Sequence, residues 1–186
     1  MDFDFSITSL RPLSVLVQNK GLSTWKEVVD YTKDLPYGRN RNRTDFSLVI
    51  KEGKGSCSSK HAFLRALAEE NSIDEVELIL AIYKMNSANT KVGTVIDDNG
   101  LSYIPEAHCY LKVEGERIDI TTSGSNFTNL KMAIIEEQTI TPEQVADFKV
   151  QYHKQFIKNW ILESEMEFSF DIIWQIREAC IAFLSK

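Results

Sequence analysis

The sequence predicts an α+β fold in which a nucleophile at the N-terminus of a helix packs on an antiparallel sheet, with helices closing the chain. Three stretches carry that prediction. Residues 53–68 run from a glycine-punctuated polar loop straight into an amphipathic helix. Residues 75–85, 106–113 and 116–122 have the alternating or continuously apolar patterns of strands. From residue 131 onward the pattern reads as helix. The implied organisation is a core over residues 1–130 and a C-terminal helical extension over 131–186 packed on it.

In chain order, Ser14-Val15-Leu16-Val17 after Pro12 reads as a short strand or a helical turn. Ser23 is read as an N-cap, with Trp25, Val28, Val29 and Tyr31-Thr32 forming a helical stripe that Pro36 stops. Arg39-Asn40-Arg41-Asn42-Arg43 is a basic loop, either simply solvated or a contact for an anionic substrate group. Phe46 to Ile50 is short and apolar. Ser56 is the expected cap of the next helix, and Gly53 and Gly55 free the loop ahead of it. That helix shows Ala62, Phe63, Ala66 and Leu67 to a core and ends near Glu70-Asn71. Glu75 to Met85 is a largely buried strand, and Asn99-Gly100 marks a turn. Glu106–Val113 and Glu116–Thr122, separated by Glu114-Gly115, form a hairpin. Thr141-Pro142-Glu143-Gln144 combines a capping box with proline at a first helical position. The helix it opens carries Val145, Phe148, Tyr152, Phe156, Trp160 and Ile161. A last helix, 170–184, is apolar on more than one side, so it is well buried or serves a homodimer.

At 186 residues the chain can bury ~70% of its unfolded surface in one domain. A net charge of −6 disfavours nucleic acid or an anionic membrane as a partner. No apolar run reaches transmembrane length, and the start Met1-Asp2-Phe3-Asp4 lacks a secretory pattern. Three cysteines make an odd number without framework spacing, which fits a reducing compartment and a cytoplasmic location.

Cys57 occupies the first turn of its helix, where free N–H groups and the helix dipole favour an anion and hence a thiolate. The alternative is a small buried cysteine, but the neighbours Ser56, Ser58, Ser59 and Lys60 are too polar for simple core packing. The hairpin supplies partners. Cys109, Leu111, Val113, Ile118 and Ile120 share its apolar face, which puts Glu106, His108, Tyr110, Lys112, Arg117, Asp119 and Thr121 on the other. A two-residue turn sets Tyr110 opposite Asp119, with His108 its diagonal neighbour roughly 7 Å away at the backbone. His108 as base and Asp119 as orienter, added to Cys57, make a Cys-His-Asp triad. The triad requires the start of the Cys57 helix to meet the His108 strand, a contact that spacing along the chain does not fix.

Gly55-Ser56-Cys57 leading into Ala62–Leu67, Glu-Val-Glu-Leu-Ile-Leu from residue 75, Glu106-Ala107-His108-Cys109-Tyr110 and Arg117-Ile118-Asp119 together resemble the transglutaminase core. The resemblance spans residues 24–122, including Leu35-Pro36-Tyr37. It implies a papain/transglutaminase-like fold with Cys57 as nucleophile, His108 as base and Asp119 as orienter. The chain departs from the family where Tyr110 stands in place of tryptophan and Ile120-Thr121 in place of a proline, and in its tight hairpin. These departures leave the substrate open.

Other motifs fail on their residues. A phosphate loop would need glycine at Leu48, and a cysteine-phosphatase loop arginine at Phe63. A zinc set of Cys57, His61, His108 and Cys109 founders because His108 and Cys109 point to opposite faces of one strand. No cofactor or metal is therefore expected. His61 is a polar helix residue or a rival base; His153 and Cys180 read as packed residues. Glu106 and Tyr110 either touch substrate or are solvated. The leading function is thiol-dependent acyl transfer or hydrolysis of an amide or peptide bond in a peptide, protein or small amide. The alternatives are a non-catalytic protein-binding module on the same fold and a small-molecule acyltransferase.

Overall fold

The computed structural model describes residues 3–184. The ambiguous segment after Pro12 is helix α1 (Pro12–Gln18), whose first turn is tied down by Glu70. The N–H groups of Leu13 and Ser14 donate to that carboxylate at 3.0 and 2.7 Å. Helix α2 (Trp25–Asp34) is capped by Thr24, one residue later than expected. A capping box needs a Glu or Gln three residues on, and Glu27 stands at that distance from Thr24; Ser23 only donates to the Glu27 carboxylate. The short apolar run forms one turn, α3 (Leu48–Lys51). Helix α4 (Cys57–Glu70) starts at the cysteine, with Ser56 and Ser59 forming a reciprocal capping box.

Strand β1 (Val76–Met85) leads through α5 (Val95–Asp98) to β2 (Ile104–Val113) and β3 (Glu116–Ile118). Then come α6 (Thr128–Lys131), β4 (Ile134–Ile140), a 3₁₀ turn (Pro142–Val145), α7 (Asp147–Glu163) and α8 (Phe170–Phe183). The fold is α+β: a four-stranded sheet, order β3-β2-β1-β4, with every neighbouring pair antiparallel. Glu114 and Gly115 have φ of 49° and 89°, the paired positive values of the two-residue hairpin turn whose twist suits the flanking strands. Val113 therefore faces Glu116 and Leu111 faces Ile118, the register the turn length implies.

Three expectations are corrected. The second hairpin strand stops at Ile118 rather than Thr122, because local side chains take the donors a ladder would need. Ile120 N–H donates to His61 and Thr121 N–H to Asp119. The helical reading from residue 131 fails over Ile134–Ile140, which pairs with β1 as an edge strand. Its polar middle, Glu136-Glu137-Gln138, is exposed or half-buried, so little strand alternation is visible; pairing with the buried β1 decides the conformation. The capping box at Thr141 opens only the 3₁₀ turn, and Ala146, with ψ of −111°, breaks the chain before α7.

Leu78, Leu80, Ile82, Cys109, Leu111 and Val113 form one sheet face, packed in a single core with Trp25 of α2 and Phe63, Leu64 and Leu67 of α4. A second core joins Tyr83, Met85 and Ile104 to Ile157 and Trp160 of α7 and Ile173, Ile176 and Cys180 of α8. Helix α8 thus buries one side, while Ile172 and Phe183 are exposed. Because β3 is short, the Ile104–Tyr110 part of β2 runs past it as a sheet margin, and α4, α7 and α8 all pack against β2. Among the described residues no helix is long and apolar enough to cross a membrane.

Candidate active site

The start of α4 brings the first component. The capping box engages the N–H groups of Ser56 and Ser59 and does not use that of Cys57. The carbonyl of Cys57 accepts the Nδ1–H of His61 at 2.7 Å, one turn along. His61 Nε2 accepts the N–H of Ile120 at 3.0 Å, so this imidazole bolts the helix start to the segment after β3. Burial holds it neutral, with its pKa lowered to about 4. With both nitrogens engaged, His61 has none left for a base.

Lys60 reinforces the same joint. Its Nζ donates to the carbonyls of Lys33, Leu35 and Thr121 at 3.2, 2.6 and 2.9 Å, linking the end of α2 to the Thr121 segment. Asp119 hangs from that segment, 8% exposed. Its Oδ1 accepts from Thr121 N–H and Oγ1 at 2.9 and 2.6 Å, and its Oδ2 accepts from His108 Nε2 at 3.0 Å. Burial pushes the Asp119 carboxyl up, but the His108 charge and these hydrogen bonds hold it well below the usual carboxylate range.

His108 therefore presents Nε2 to Asp119, leaving Nδ1 for the thiol of Cys57, with which the ring interacts directly. Burial alone would push the His108 pKa down; Asp119 and Cys57 outweigh it and raise it well above the ordinary value. Cys57 is the mirror case. Burial pushes its thiol up, yet Lys149 and His108, aided by the backbone N–H of Cys109 on the β2 margin, bring it down to about 5. The three residues read from the sequence lie together, and the two shifts run in the directions that favour a thiolate on Cys57 and an imidazolium on His108.

Lys149 of α7 is the component that the sequence reading missed. It is buried, with Nζ 3.7 Å from Cys57 Sγ and donating to Ser58 Oγ at 2.6 Å. A signal existed. The buried stripe of α7 is Lys149, His153, Ile157 and Trp160, so a lysine and a histidine occupy core positions one helical turn apart. The stripe read through Phe148 and Tyr152 lies one position off; Phe148 is 39% exposed.

Cys57 opens onto a cavity of about 180 Å³ walled by Tyr37, Arg39, Glu106, Lys149, His153 and Arg177, among others. Glu106 is neither solvated nor free for substrate. It is 5% exposed and held by Arg177 Nε and Nη2 at 2.7 and 2.5 Å. Tyr110 lies away from the cavity, fully buried, its hydroxyl donating to Glu137. His153 donates Nε2–H to the carbonyl of Pro105 at 2.8 Å. Cys109 and Cys180 are buried and burial pushes both thiols up. Among the described residues no group of three or more His, Cys, Asp and Glu is arranged to hold a metal ion. Comparison with protein-family models, with curated proteins and with solved structures returns no match.

Proposed function

We propose that this chain is a transglutaminase-like cysteine enzyme that transfers or hydrolyses acyl groups through Cys57, on a papain/transglutaminase-like fold. One observation carries the reading: a buried helix-start thiol 3.7 Å from the Lys149 ammonium and acted on by His108, whose far nitrogen is bonded to Asp119 at 3.0 Å. Structural cysteines do not need two cations and an anchored carboxylate.

In this mechanism the Cys57 thiolate attacks the carbonyl carbon of an amide, forming the C–S bond and placing the charge on oxygen. The Cys57 N–H and the Lys149 ammonium are the donors for that oxyanion. With its ammonium 3.7 Å from the sulfur, Lys149 puts a positive charge beside the atom to which the oxyanion carbon is bonded. The imidazolium of His108 gives its Nδ1 proton to the departing amine as the C–N bond breaks, leaving a thioester. Water or a second amine then attacks while His108 takes its proton, and the Cys57 thiolate departs. Asp119 holds the tautomer and stabilises the imidazolium without taking a proton.

The test is acylation by p-nitrophenyl acetate. An acetyl adduct on Cys57 and a burst of p-nitrophenol are expected from the wild type and neither from Cys57→Ala. Acylation at Cys109 or Cys180 in preference to Cys57 overturns the reading, as would a non-catalytic binding module whose Cys57 stays unmodified.

A further inference from the structure

The basic loop read from the sequence at residues 39–43 has a place: Arg39, Asn40 and Arg43 line the cavity that opens from Cys57. The same wall carries Lys149, Lys154 and Arg177, against two carboxylates among the described residues, Glu106 and Glu178. The chain as a whole has 27 acidic and 21 basic residues, so the cavity reverses the sign of the molecule. Both carboxylates are already neutralised in place. Glu106 is held by Arg177, and Glu178 by Arg39 at 2.9 Å and by Arg177 at 2.6 Å. Positive charge therefore remains at two levels, at the floor matched by the Cys57 thiolate until that sulfur bonds to carbon, and at the rim without a carboxylate partner among the described residues. Lys149 stands at the floor beside the sulfur. Arg43 and Lys154, which have no carboxylate partner among the described residues, stand nearer solvent, Lys154 over the face of Trp174 at 5.4 Å.

A low-dielectric cleft lined by one sign of charge concentrates ligands of the other sign. The size of the cavity, about 180 Å³, admits one side chain or a short acid. We propose that this cavity takes acyl donors bearing a carboxylate next to the reacting carbonyl, with Arg43 and Lys154 receiving the carboxylate while Lys149 faces the carbonyl. The proposal rests on Cys57 being the nucleophile and adds the substrate class. The carboxylate has two sources, an acidic side chain beside the scissile bond or a free chain end.

Two alkylating reagents of equal reach and opposite character test it: iodoacetate, an anion, and iodoacetamide, neutral. The rates of Cys57 modification are measured by peptide mapping on the full chain and expressed as a ratio, in which thiolate content cancels. N-acetylcysteinamide gives the reference ratio for a free thiol. The expected ratio at Cys57 exceeds the reference by about tenfold or more at low salt and falls back towards it in the Arg43→Gln/Lys154→Gln double variant and at high salt. Both side chains lie at the rim outside the packed cores, so folding is spared. Protection from iodoacetamide then separates the sources, using N-acetyl-Ala-Asp-Ala-amide, N-acetyl-Ala-Ala-Ala with a free carboxylate, and N-acetyl-Ala-Ala-Ala-amide as the neutral control. A ratio equal to the reference, a ratio unchanged in the double variant, or no protection beyond the neutral control overturns the substrate class and leaves the nucleophile standing. Failure of both reagents at Cys57 takes down the nucleophile reading as well.

Discussion

A thiol out of water ordinarily keeps its proton, because low dielectric penalises the thiolate. Cys57 is 9% exposed and runs against that rule because two cations face it. The alkylation rate by iodoacetamide should therefore rise with pH through about 5 and then level, since the thiolate gains population as its proton leaves. Lys149→Met keeps the packing and removes a charge 3.7 Å from the sulfur; the midpoint should move up by roughly 1–3 units. An unmoved midpoint would assign Lys149 to packing alone. Turnover should follow a bell, falling again on the alkaline side only where His108 loses the proton it must give, well above the ordinary histidine range. Asp119→Asn should cut turnover by about 10³–10⁴-fold with little loss of fold, and should raise the Cys57 midpoint as the imidazolium weakens. The competing view of Asp119 as a surface charge paired with Arg117 or Lys112 does not match the pairs present. Arg117 is bonded to Glu137 and Lys112 to Glu77.

At the scale of elements, the site depends on how α4 begins. A Cβ on Gly55 would sit 2.7 Å from Lys60 Cγ and 3.1 Å from Ser59 Oγ. Ser59 is half of the capping box and the Lys60 ammonium is held by carbonyls, so neither yields easily. Gly55→Ala should cost about 1–3 kcal/mol by urea unfolding and slow Cys57 alkylation together; Ser56→Ala, which removes only the cap, should cost about 1 kcal/mol. This helix start was legible because its signals are local: glycine, cap and apolar stripe follow within a few residues. The hairpin was legible for the same reason, since a two-residue turn sets the register from Val113–Glu116 to Leu111–Ile118 within a few residues. What was illegible is decided from a distance. Strand β4 owes its conformation to pairing with β1, and Asp119 leaves the ladder because His61, 58 residues earlier, takes the neighbouring N–H. Lys149 escaped notice because a lysine in a helical stripe reads as solvated until a thiolate is placed opposite it.

At the scale of the whole molecule, the C-terminal helices complete the cavity rather than merely cover the sheet. Helix α7 supplies Lys149 and His153 and α8 supplies Arg177, while α4 and β2 supply Cys57 and Glu106. The weld is Glu106–Arg177, almost without solvent and extended through Glu178 to Arg39 of the basic loop. Burial pushes the Glu106 carboxyl up, but Arg177 and His153 outweigh it and bring it down to about 2, against an ordinary 4.5. A carboxyl lowered on folding contributes stability that is fully present above the ordinary value and is lost as pH falls from there towards about 2. Arg177→Met leaves that carboxylate buried without its cation, which should cost about 3–5 kcal/mol at pH 7. Below pH 4.5 Glu106 in the variant escapes the penalty by taking a proton, whereas the wild type is by then losing the benefit of the pair. The deficit between the two, read from urea midpoints, should therefore narrow from pH 7 to pH 4. Adding Glu106→Gln to Arg177→Met should recover part of the loss at pH 7, because no charge is then stranded. A deficit of the same size at both pH values, with no recovery in the double variant, would mean that Arg177 acts through its packing against Trp174 and that α8 is held to the sheet by apolar contacts alone.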